Sequence, residues 1–187
     1  MKEPTIIYLR GPSSSGKTQI AEELQKQLPD FFLRFALDTI FDGFPKSVLR
    51  RKWEGQDLSD IRCPSVGRGY HACVHALAST GFNLIINDDL PDDVVGTYMA
   101  DIIERYNVIL ISVHCPLDEL TKRESQRPDR TFGSAKRGFE TIRDRIEYDL
   151  VIDSSQQTPD QAASELARFL VAHPRYPRGG VDKSDSQ

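Results

Sequence analysis

Five apolar runs alternate along the chain with segments in which apolar residues recur at helical spacing. The runs are rich in Ile, Val, Leu and Phe, which is typical of strands, and they span residues 5–10, 31–38, 83–89, 107–115 and 148–155. Several are apolar throughout, so both faces of those strands should be covered. Strands that alternate with helices predict an α/β fold, in which a parallel sheet carries helices on both faces.

The segments between the runs carry the helical pattern and its end signals. Thr158 followed by Pro159, for example, marks the start of the last helix. Helices are predicted at 18–28, 68–80, 92–106, 116–127 and 158–173, with a further helical stretch after a basic turn at 127–138. The polar residues 43–67 are expected to be irregular. We expect one domain over residues 1–173 and a disordered tail at 174–187.

Composition places the chain among ordinary globular proteins. It has 187 residues, 39% of them hydrophobic, and a net charge of −4. No apolar run approaches the roughly 20 residues of a membrane span, and residues 1–10 lack the features of a signal peptide, so we expect a cytoplasmic protein. Mild acidity disfavours a nucleic-acid partner.

The chain has three cysteines, Cys63, Cys73 and Cys115. Their small, odd number predicts reduced thiols and no disulfide framework. The oligomeric state is left open.

The strongest motif is the stretch GPSSSGKT at 11–18, which we call the phosphate loop. It matches G-x-x-x-x-G-K-[ST] between a predicted strand and a predicted helix, where loop N–H groups and a helix N-terminus favour phosphate. Lys17 should reach the β- and γ-phosphates of ATP, and the Thr18 hydroxyl should ligate Mg²⁺. The residues expected to bind the nucleotide are Gly11, Pro12, Ser13, Ser14, Ser15, Gly16, Lys17 and Thr18.

Acidic residues follow two of the predicted strands. Asp38 ends the second strand, and Asp88 and Asp89 end the third, at the edge of the sheet where ligands of such folds bind. Asp38 could take a proton from an acceptor hydroxyl, or it could be the N-cap of the following helix. Asp88 or Asp89 could order Mg²⁺ through water or orient the acceptor, or the pair could form a turn before Pro91.

The segments GPSSSGKT, FALDTI, IINDDL, HCPLDELTKRESQRPDR and EYDLVIDSS follow one another in an order that resembles the chloramphenicol phosphotransferase-like family, over about residues 5–172. The chain is also similar to nucleoside-monophosphate-kinase-like and shikimate-kinase-like enzymes. The resemblance implies a three-layer P-loop NTPase fold with sheet order 2-3-1-4-5 and an arginine-containing lid. It also implies transfer of the γ-phosphoryl group of ATP to a primary hydroxyl of a small molecule, chloramphenicol in the founding case.

The same resemblance implies roles for individual residues. Asp38 occupies the position of the family's proposed general base, and Arg123, Arg127 and Arg130 are the lid arginines that approach the phosphates. Planar guanidinium groups suit phosphate oxygens, and Arg123 and Arg127 are spaced to share one helix face. The alternative is a solvated basic face, paired with Glu119, Glu124 and Asp129.

The acceptor is the open part of the prediction. Residues 46–68, where acceptor contacts would lie, carry six basic residues, among them Lys46, Arg50, Arg51, Lys52 and Arg62, and one aromatic, Trp53. These charges could select a polar or anionic acceptor, or they could be solvated. The acceptor is thus chloramphenicol, another antibiotic, or a more polar metabolite or nucleotide. A different class, an ATPase or switch acting through a protein partner, is the further alternative.

Two histidines form a weaker candidate. His71 and His75 are four residues apart and could share a metal ion or reach the acceptor pocket. Cys73 lies between them on another helix face, and no further Cys/His pair has ligand spacing, so metal binding is disfavoured. His114 and Cys115, at the end of the fourth predicted strand, are interpreted as structural.

Overall fold

Five parallel strands form one sheet, which a computed structural model describes over residues 3–57, 59–60, 65–127, 131–142 and 146–176. The strands are β1 (Thr5–Arg10), β2 (Leu33–Ala36), β3 (Leu84–Asp88), β4 (Asn107–His114) and β5 (Leu150–Asp153). Their order is β2-β3-β1-β4-β5, which confirms the order expected from the family resemblance. The central strand β1 pairs with both β3 and β4, so Ile7 lies between Ile85 and Ile109.

Helices cover both faces of the sheet. Within the described residues they are α1 (Lys17–Gln27), α2 (Leu37–Asp42), α3 (Lys46–Trp53), α4 (Val66–Ser79), α5 (Asp92–Tyr98), α6 (Ala100–Arg105), α7 (Leu117–Ser125), α8 (Ser134–Thr141) and α9 (Pro159–Ala172). Thr158 caps α9 as predicted, because its side chain accepts from the Gln161 N–H while the Gln161 side chain accepts from the Thr158 N–H.

Alternate residues of each central strand enter two separate cores. Ile7 and Ile85 pack in one core against α1 and α9, whereas Ile6, Tyr8 and Ile86 pack in the other against α4 and α6. Because a strand turns successive side chains to opposite faces, this division produces the three layers that were expected. Full burial of each of these large apolar side chains stabilises the fold by roughly 1.5–3 kcal/mol.

Several predicted boundaries were wrong, and each error has a local cause. The second strand ends at Ala36 because Leu37, Ile40 and Phe41 have helical spacing and pack on the core, forming α2. Residues 43–67 are not irregular throughout, since they include α3. That helix buries no residue, and five of its eight residues are polar.

Two further helices differ from the predictions. The helix expected at 92–106 is divided into α5 and α6 at Met99, although the Met99 N–H and C=O still bond to Val95 and Ile103. The basic turn predicted at 127–138 overlaps the start of α8 at Ser134. The residue before it, Gly133, has a φ of +82°, a conformation that Gly adopts readily.

The first residues of the predicted tail pack on the domain. The Tyr176 ring is buried and stacks on Phe32 with 6.0 Å between ring centroids, and the Arg175 guanidinium donates to the Val108 carbonyl. The remainder of the tail, 177–187, lies outside the described residues, so its disorder stays a prediction.

The thiols and the helices add two observations. Cys73 and Cys115 are free thiols, whereas Cys63 lies outside the described residues. Cys115 packs against Leu120 and Ala135. None of the described helices is long and apolar enough to cross a bilayer.

A buried histidine predicts how stability depends on pH. His71 is 4% exposed, and burial lowers its pKa to about 4 from 6.5, although the charge of Asp101 opposes the shift. Between these values the unfolded chain binds the proton more readily than the folded one. The contribution of His71 to the free energy of unfolding should therefore fall as pH drops from 6.5 to 4, by roughly 3 kcal/mol at most. Asp88 contributes in the opposite direction, because burial raises its pKa to about 6, so the effect of His71 is the difference between the parental protein and a His71 variant.

Urea unfolding at a series of pH values would measure this slope. The free energy of unfolding of His71→Gln should fall less as pH drops from 6.5 to 4 than that of the parental protein. An identical slope in His71→Gln would contradict the assignment.

Candidate active site

The phosphate loop connects β1 to α1 and depends on close backbone packing. A Cβ atom on Gly11 would lie 2.3 Å from the Val113 carbonyl oxygen of β4, so only glycine fits there. Gly16 and Ser14 both have left-handed backbone, with φ values of +89° and +67°. A non-glycine residue in this region is strained, and such strain is typical of functional loops. The motif therefore has the geometry that it requires.

The start of α1 is prepared for an anion. Its N-cap is Gly16, without a side-chain cap, and its first turn contains no acidic residue. By contrast, α5 and α7 begin with two acidic residues each. The free N–H groups and the positive end of the helix dipole therefore face the phosphate loop. The buried Ser14 hydroxyl in that loop has no hydrogen-bond partner among the described residues.

Lys17 is held inside the loop. Its side chain is buried, and its ammonium donates to the carbonyl oxygens of Gly11 and Pro12, at 2.7 Å each. These bonds keep a positive charge within the loop, close to the N-terminus of α1. The lysine of the motif therefore lies inside the loop, and its contact with phosphate stays a prediction.

A cavity at the carboxyl edge of the sheet brings together most of the predicted residues. We call it the inner cavity, and it is lined by Ser13, Ser14, Gly16, Lys17, Thr18, Gln19, Leu37, Asp38, Asn87, Asp88, Asp89 and Arg127. The structure thus places Asp38, the two acidic residues of β3 and the phosphate loop around one space. Chemically, this arrangement can hold a polyanion and set a carboxylate beside it.

Asp38 lines the cavity from a helix and not, as was predicted, from the end of a strand. It does not end a strand but is the second residue of α2, whose N-cap is Ala36. The prediction of a strand end was therefore wrong, and so was the alternative that Asp38 is the N-cap. A carboxylate in the first turn of a helix is stabilised by the helix dipole.

Asp88 ends β3 as predicted, within a buried hydrogen-bond network. Its Oδ2 accepts from the Tyr8 hydroxyl at 2.5 Å, and its Oδ1 accepts from the Leu90 N–H at 3.3 Å. Burial raises the pKa of Asp88 to about 6, against the hydrogen bond from Tyr8 and the charge of Arg10, which lower it. Near neutral pH the carboxyl is mostly ionised. The bond from the Leu90 N–H closes a turn of the kind that the alternative interpretation describes, and a role of Asp88 towards Mg²⁺ or the acceptor stays a prediction.

Arg10 is a part of the site that the sequence analysis missed. The side chain is fully buried, donates to Asp92 Oδ1 (2.9 Å) and the Leu90 carbonyl (2.7 Å), and lies 4.0 Å from Asp88. It also donates to the Tyr148 hydroxyl at 3.2 Å. A charged residue that ends an apolar strand immediately before the phosphate loop was the signal that could have revealed it.

The inner cavity has the chemistry of a Mg²⁺ site. The Thr18 hydroxyl and the carboxylates of Asp88 and Asp89 are hard oxygen donors, which Mg²⁺ prefers. Both Asp88 oxygens already accept protein hydrogen bonds, which suits contact with the ion through water. No cluster of three or more His, Cys, Asp or Glu ligands occurs within the described residues, so protein groups alone do not form a metal site there.

The lid arginines fall on α7 and the chain that follows it. Arg123 donates to Glu119 at 2.9 Å and to the Ser154 carbonyl at 2.9 Å, and its Nη1 would lie 3.8 Å from a Cβ atom on Gly16. Arg123 thus borders the phosphate loop, although it also forms the ion pair of the alternative interpretation. Arg127 lines the inner cavity. Arg130 lies outside the described residues.

Glu124 is a second residue whose role was missed. It was interpreted as a possible surface partner of the arginines, but it is buried. Its carboxylate accepts from the N–H groups of Gly133 (2.9 Å) and Ala135 (2.7 Å), at the start of α8. In turn, α8 packs on the phosphate loop, because a Cβ atom on Gly138 would lie 3.2 Å from Pro12 Cα. We call this pair of hydrogen bonds the Glu124 clamp.

A second cavity, of about 660 Å³, lies on the other side of the phosphate loop. We call it the outer cavity, and it is lined by Ser14, Gly16, Thr18, Gln19, Ile20, Arg123, Gln126, Arg127, Ser154, Gln157, Thr158, Pro159 and Ala162. Its volume lies within the roughly 300–1,000 Å³ range of small-molecule sites. Arg127 and residues of the phosphate loop line both cavities, so ligands bound in the inner and outer cavities would be close to each other at the phosphate loop.

The remaining predicted residues that the structure describes are not among those that line the two cavities, and Arg62 lies outside the described residues. In the basic segment, Arg51 pairs with Asp60 at 2.7 Å, and the Lys52 ammonium lies 4.2 Å above the Phe41 ring. The Lys52 carbonyl accepts from the Thr131 hydroxyl beyond the lid arginines. His75 contacts the Tyr106 hydroxyl at 3.0 Å, and neither His75 nor His71 is among the residues that line the inner or outer cavity.

Comparison with known proteins agrees with this geometry. The family model described as "Chloramphenicol phosphotransferase-like protein" matches residues 4–171. A Mycobacterium tuberculosis protein named "Putative O-phosphotransferase" is 25% identical, over 95% of this chain and 86% of that protein.

Solved structures share the fold. A sugar kinase from Janibacter sp. HTCC2649 gives a TM-score of 0.66 at 19% identity, over 95% of this chain and 100% of that chain. The Mycobacterium tuberculosis APS kinase in complex with AMPPNP and APS gives 0.63 at 16% identity, over 92% of this chain and 100% of that chain.

The Glu124 clamp leads to a stability prediction. Glu124→Gln replaces one accepting oxygen with an NH₂ group that faces a backbone N–H, so one charge-assisted hydrogen bond is lost. The free energy of unfolding should fall by about 1.5–3 kcal/mol, measured by urea denaturation. Glu140→Gln, on the exposed side of α8, is the control and should change stability by less than about 0.5 kcal/mol. Equal stability of the two variants would show that the clamp contributes nothing.

Proposed function

We propose that this chain, which belongs to the chloramphenicol phosphotransferase-like family, transfers the γ-phosphoryl group of ATP to a hydroxyl of a small molecule. The chain is an enzyme with a P-loop kinase fold. The observation that carries the finer proposal is the inner cavity. It brings a carboxylate, Asp38, into the same space as the Lys17 and Thr18 side chains of the phosphate loop.

In the proposed reaction, Asp38 is the general base. It takes the proton from the acceptor hydroxyl as the hydroxyl oxygen attacks the γ-phosphorus. The bond between the γ-phosphorus and the bridging oxygen breaks, and ADP leaves. Lys17 and the N–H groups of the phosphate loop hold the β- and γ-phosphates in place. Since positioning and charge stabilisation supply most of the catalysis in phosphoryl transfer, these groups carry the donor side of the reaction.

Mg²⁺ fits the oxygen donors around the loop. When bound, the ion neutralises charge on the phosphates. Thr18 would hold it through its hydroxyl and Asp88 through water, with Asp89 as a further candidate in the same cavity. The Tyr8 hydroxyl fixes the orientation of the Asp88 carboxylate through its 2.5 Å hydrogen bond.

The lid arginines complete the donor side. Arg123 borders Gly16, and Arg127 lies where the inner and outer cavities meet. Guanidinium groups at these places would offset the charge that gathers on the transferring phosphoryl oxygens. The family pattern assigns Arg130 to the same group. The outer cavity then takes the rest of the nucleotide.

An assay of phosphoryl transfer to a panel of compounds would identify the class of acceptor. The purified protein is incubated with Mg²⁺, γ-labelled ATP and a panel of chloramphenicol, other hydroxylated antibiotics and hydroxylated metabolites. Label on a neutral hydroxyl compound is the expected result. Label on a nucleotide or an acid would change the acceptor class, and label only in free phosphate would replace the proposal with an ATPase or switch function.

The base assignment predicts the effect of Asp38→Asn. The amide cannot take the proton, so transfer should slow by about 10²–10⁴-fold, while the affinity for ATP stays within a few-fold. Single-turnover transfer and equilibrium nucleotide binding measure the two quantities. Asp42→Asn, on the same short helix and exposed to solvent, is the matched control and should transfer at the parental rate. Asp38 is not the base if Asp38→Asn matches this control.

The proposed role of Lys17 in binding the phosphates of ATP predicts that Lys17→Ala weakens nucleotide binding, which Asp38→Asn should not do. Loss of the charge-assisted contact to the phosphates should weaken ATP binding by about tenfold or more. Isothermal titration with AMPPNP and Mg²⁺ measures this affinity without turnover. Parental affinity in Lys17→Ala would rule out the assignment of the phosphate loop.

A further inference from the structure

Asn87 in β3 carries a buried amide oxygen without a partner. The residue is 4% exposed, and its Oδ1 atom forms no hydrogen bond with any part of the chain that the structure describes. The Tyr70 hydroxyl donates to the main-chain oxygen of Asn87 and not to its side-chain oxygen. Buried polar side-chain atoms nearly always have a partner, and each exception calls for a physical explanation.

The other end of the same strand shows the usual arrangement. Asn83 lies just before β3, and its Oδ1 accepts from the Thr5 N–H at 2.9 Å, which joins β1 to the start of β3. One asparagine therefore lies just before β3 and one near its end. The side-chain oxygen of Asn83 accepts a structural hydrogen bond, and that of Asn87 accepts none within the described residues. The difference is not explained by the needs of the sheet, because the backbone of Asn87 is paired in register with Ala36 and Leu9.

The surroundings of Asn87 point to a ligand as the missing partner. Its side chain lines the inner cavity together with Leu37 and Asp38, and its strand partner Ala36 lies two residues before Asp38. Asn87 is not among the residues that line the outer cavity. An amide oxygen only accepts hydrogen bonds, so the group that satisfies it is an O–H or N–H.

We propose that Asn87 binds the phosphoryl acceptor, its Oδ1 accepting a hydrogen bond from an O–H or N–H group next to the hydroxyl that is phosphorylated. The inference rests on the proposed function, since it assumes an acceptor beside Asp38. It adds a requirement for the substrate: a second hydrogen-bond donor close to the reacting hydroxyl. A site built in this way rejects analogues that lack the donor, because the buried oxygen would then remain unpaired.

The first test measures stability without any ligand. Asn87→Leu removes a buried unpaired oxygen at similar volume, so the melting temperature should rise by about 2–6 °C. Asn83→Leu is the matched control and should lower it, because it removes a satisfied hydrogen bond. A lower melting temperature in both variants would show that Asn87 serves the fold, and it would overturn the proposal.

The second test separates the acceptor from the donor side. With an acceptor found by the γ-label assay, Asn87→Leu should raise its KM by about tenfold or more, while the affinity for AMPPNP with Mg²⁺ stays within twofold. Asn87→Asp, which keeps an accepting oxygen, should recover part of the loss. A tenfold loss of AMPPNP affinity in Asn87→Leu would instead place Asn87 with the metal or the phosphates and overturn the proposal.

The two proposals can fail separately. If the assay labels no acceptor, the proposed function fails. A higher melting temperature for Asn87→Leu with unchanged AMPPNP affinity would then still support a ligand-binding amide in the inner cavity. If an acceptor is labelled but its KM is the same in Asn87→Leu, only the role of Asn87 is wrong.

Discussion

A buried guanidinium holds the candidate site together. Arg10 ends the central strand, and its contacts reach Asp88 at the end of β3, the Leu90 carbonyl, Asp92 at the start of α5 and Tyr148 before β5. A charge removed from water must be matched by such partners, and loss of one partner of a buried pair costs about 3–5 kcal/mol. Because Gly11 follows Arg10 directly, this one network fixes the start of the phosphate loop relative to the carboxylate of Asp88.

Around that anchor, the two sides of the site differ in how firmly they are held. The phosphate loop is confined by β4, where Val113 leaves no room for a side chain at Gly11, and by α8, which packs against Pro12. Asp38 instead lies on a helix of six residues, followed by a helix that buries no residue. Elements with few buried contacts open most easily. The phosphate loop is thus packed on two sides, whereas the segment after Asp38 has few buried contacts and should open more easily.

The sequence predicted the parts of this structure that repeat a general pattern. The strands follow from apolar runs, the phosphate loop from its motif, and the start of α9 from Thr158 and Pro159. The sheet order came from the family resemblance. The parts that could not be predicted depend on long-range contacts: Arg10 and Glu124 look like surface charges until the fold buries them, and Asn87 looks like a strand end. The helix α3 was missed because most of its eight residues are polar and none is buried, and Asp38 was placed on a strand because an apolar run continues across the start of α2.

The Glu124 clamp also has a consequence for how such a protein can diverge. One carboxylate on α7 fastens the start of α8 by accepting from two backbone N–H groups. Every residue except proline carries such a group, whatever its side chain. Side chains on the exposed face of α8 can therefore change during evolution while the helix keeps its place against the phosphate loop.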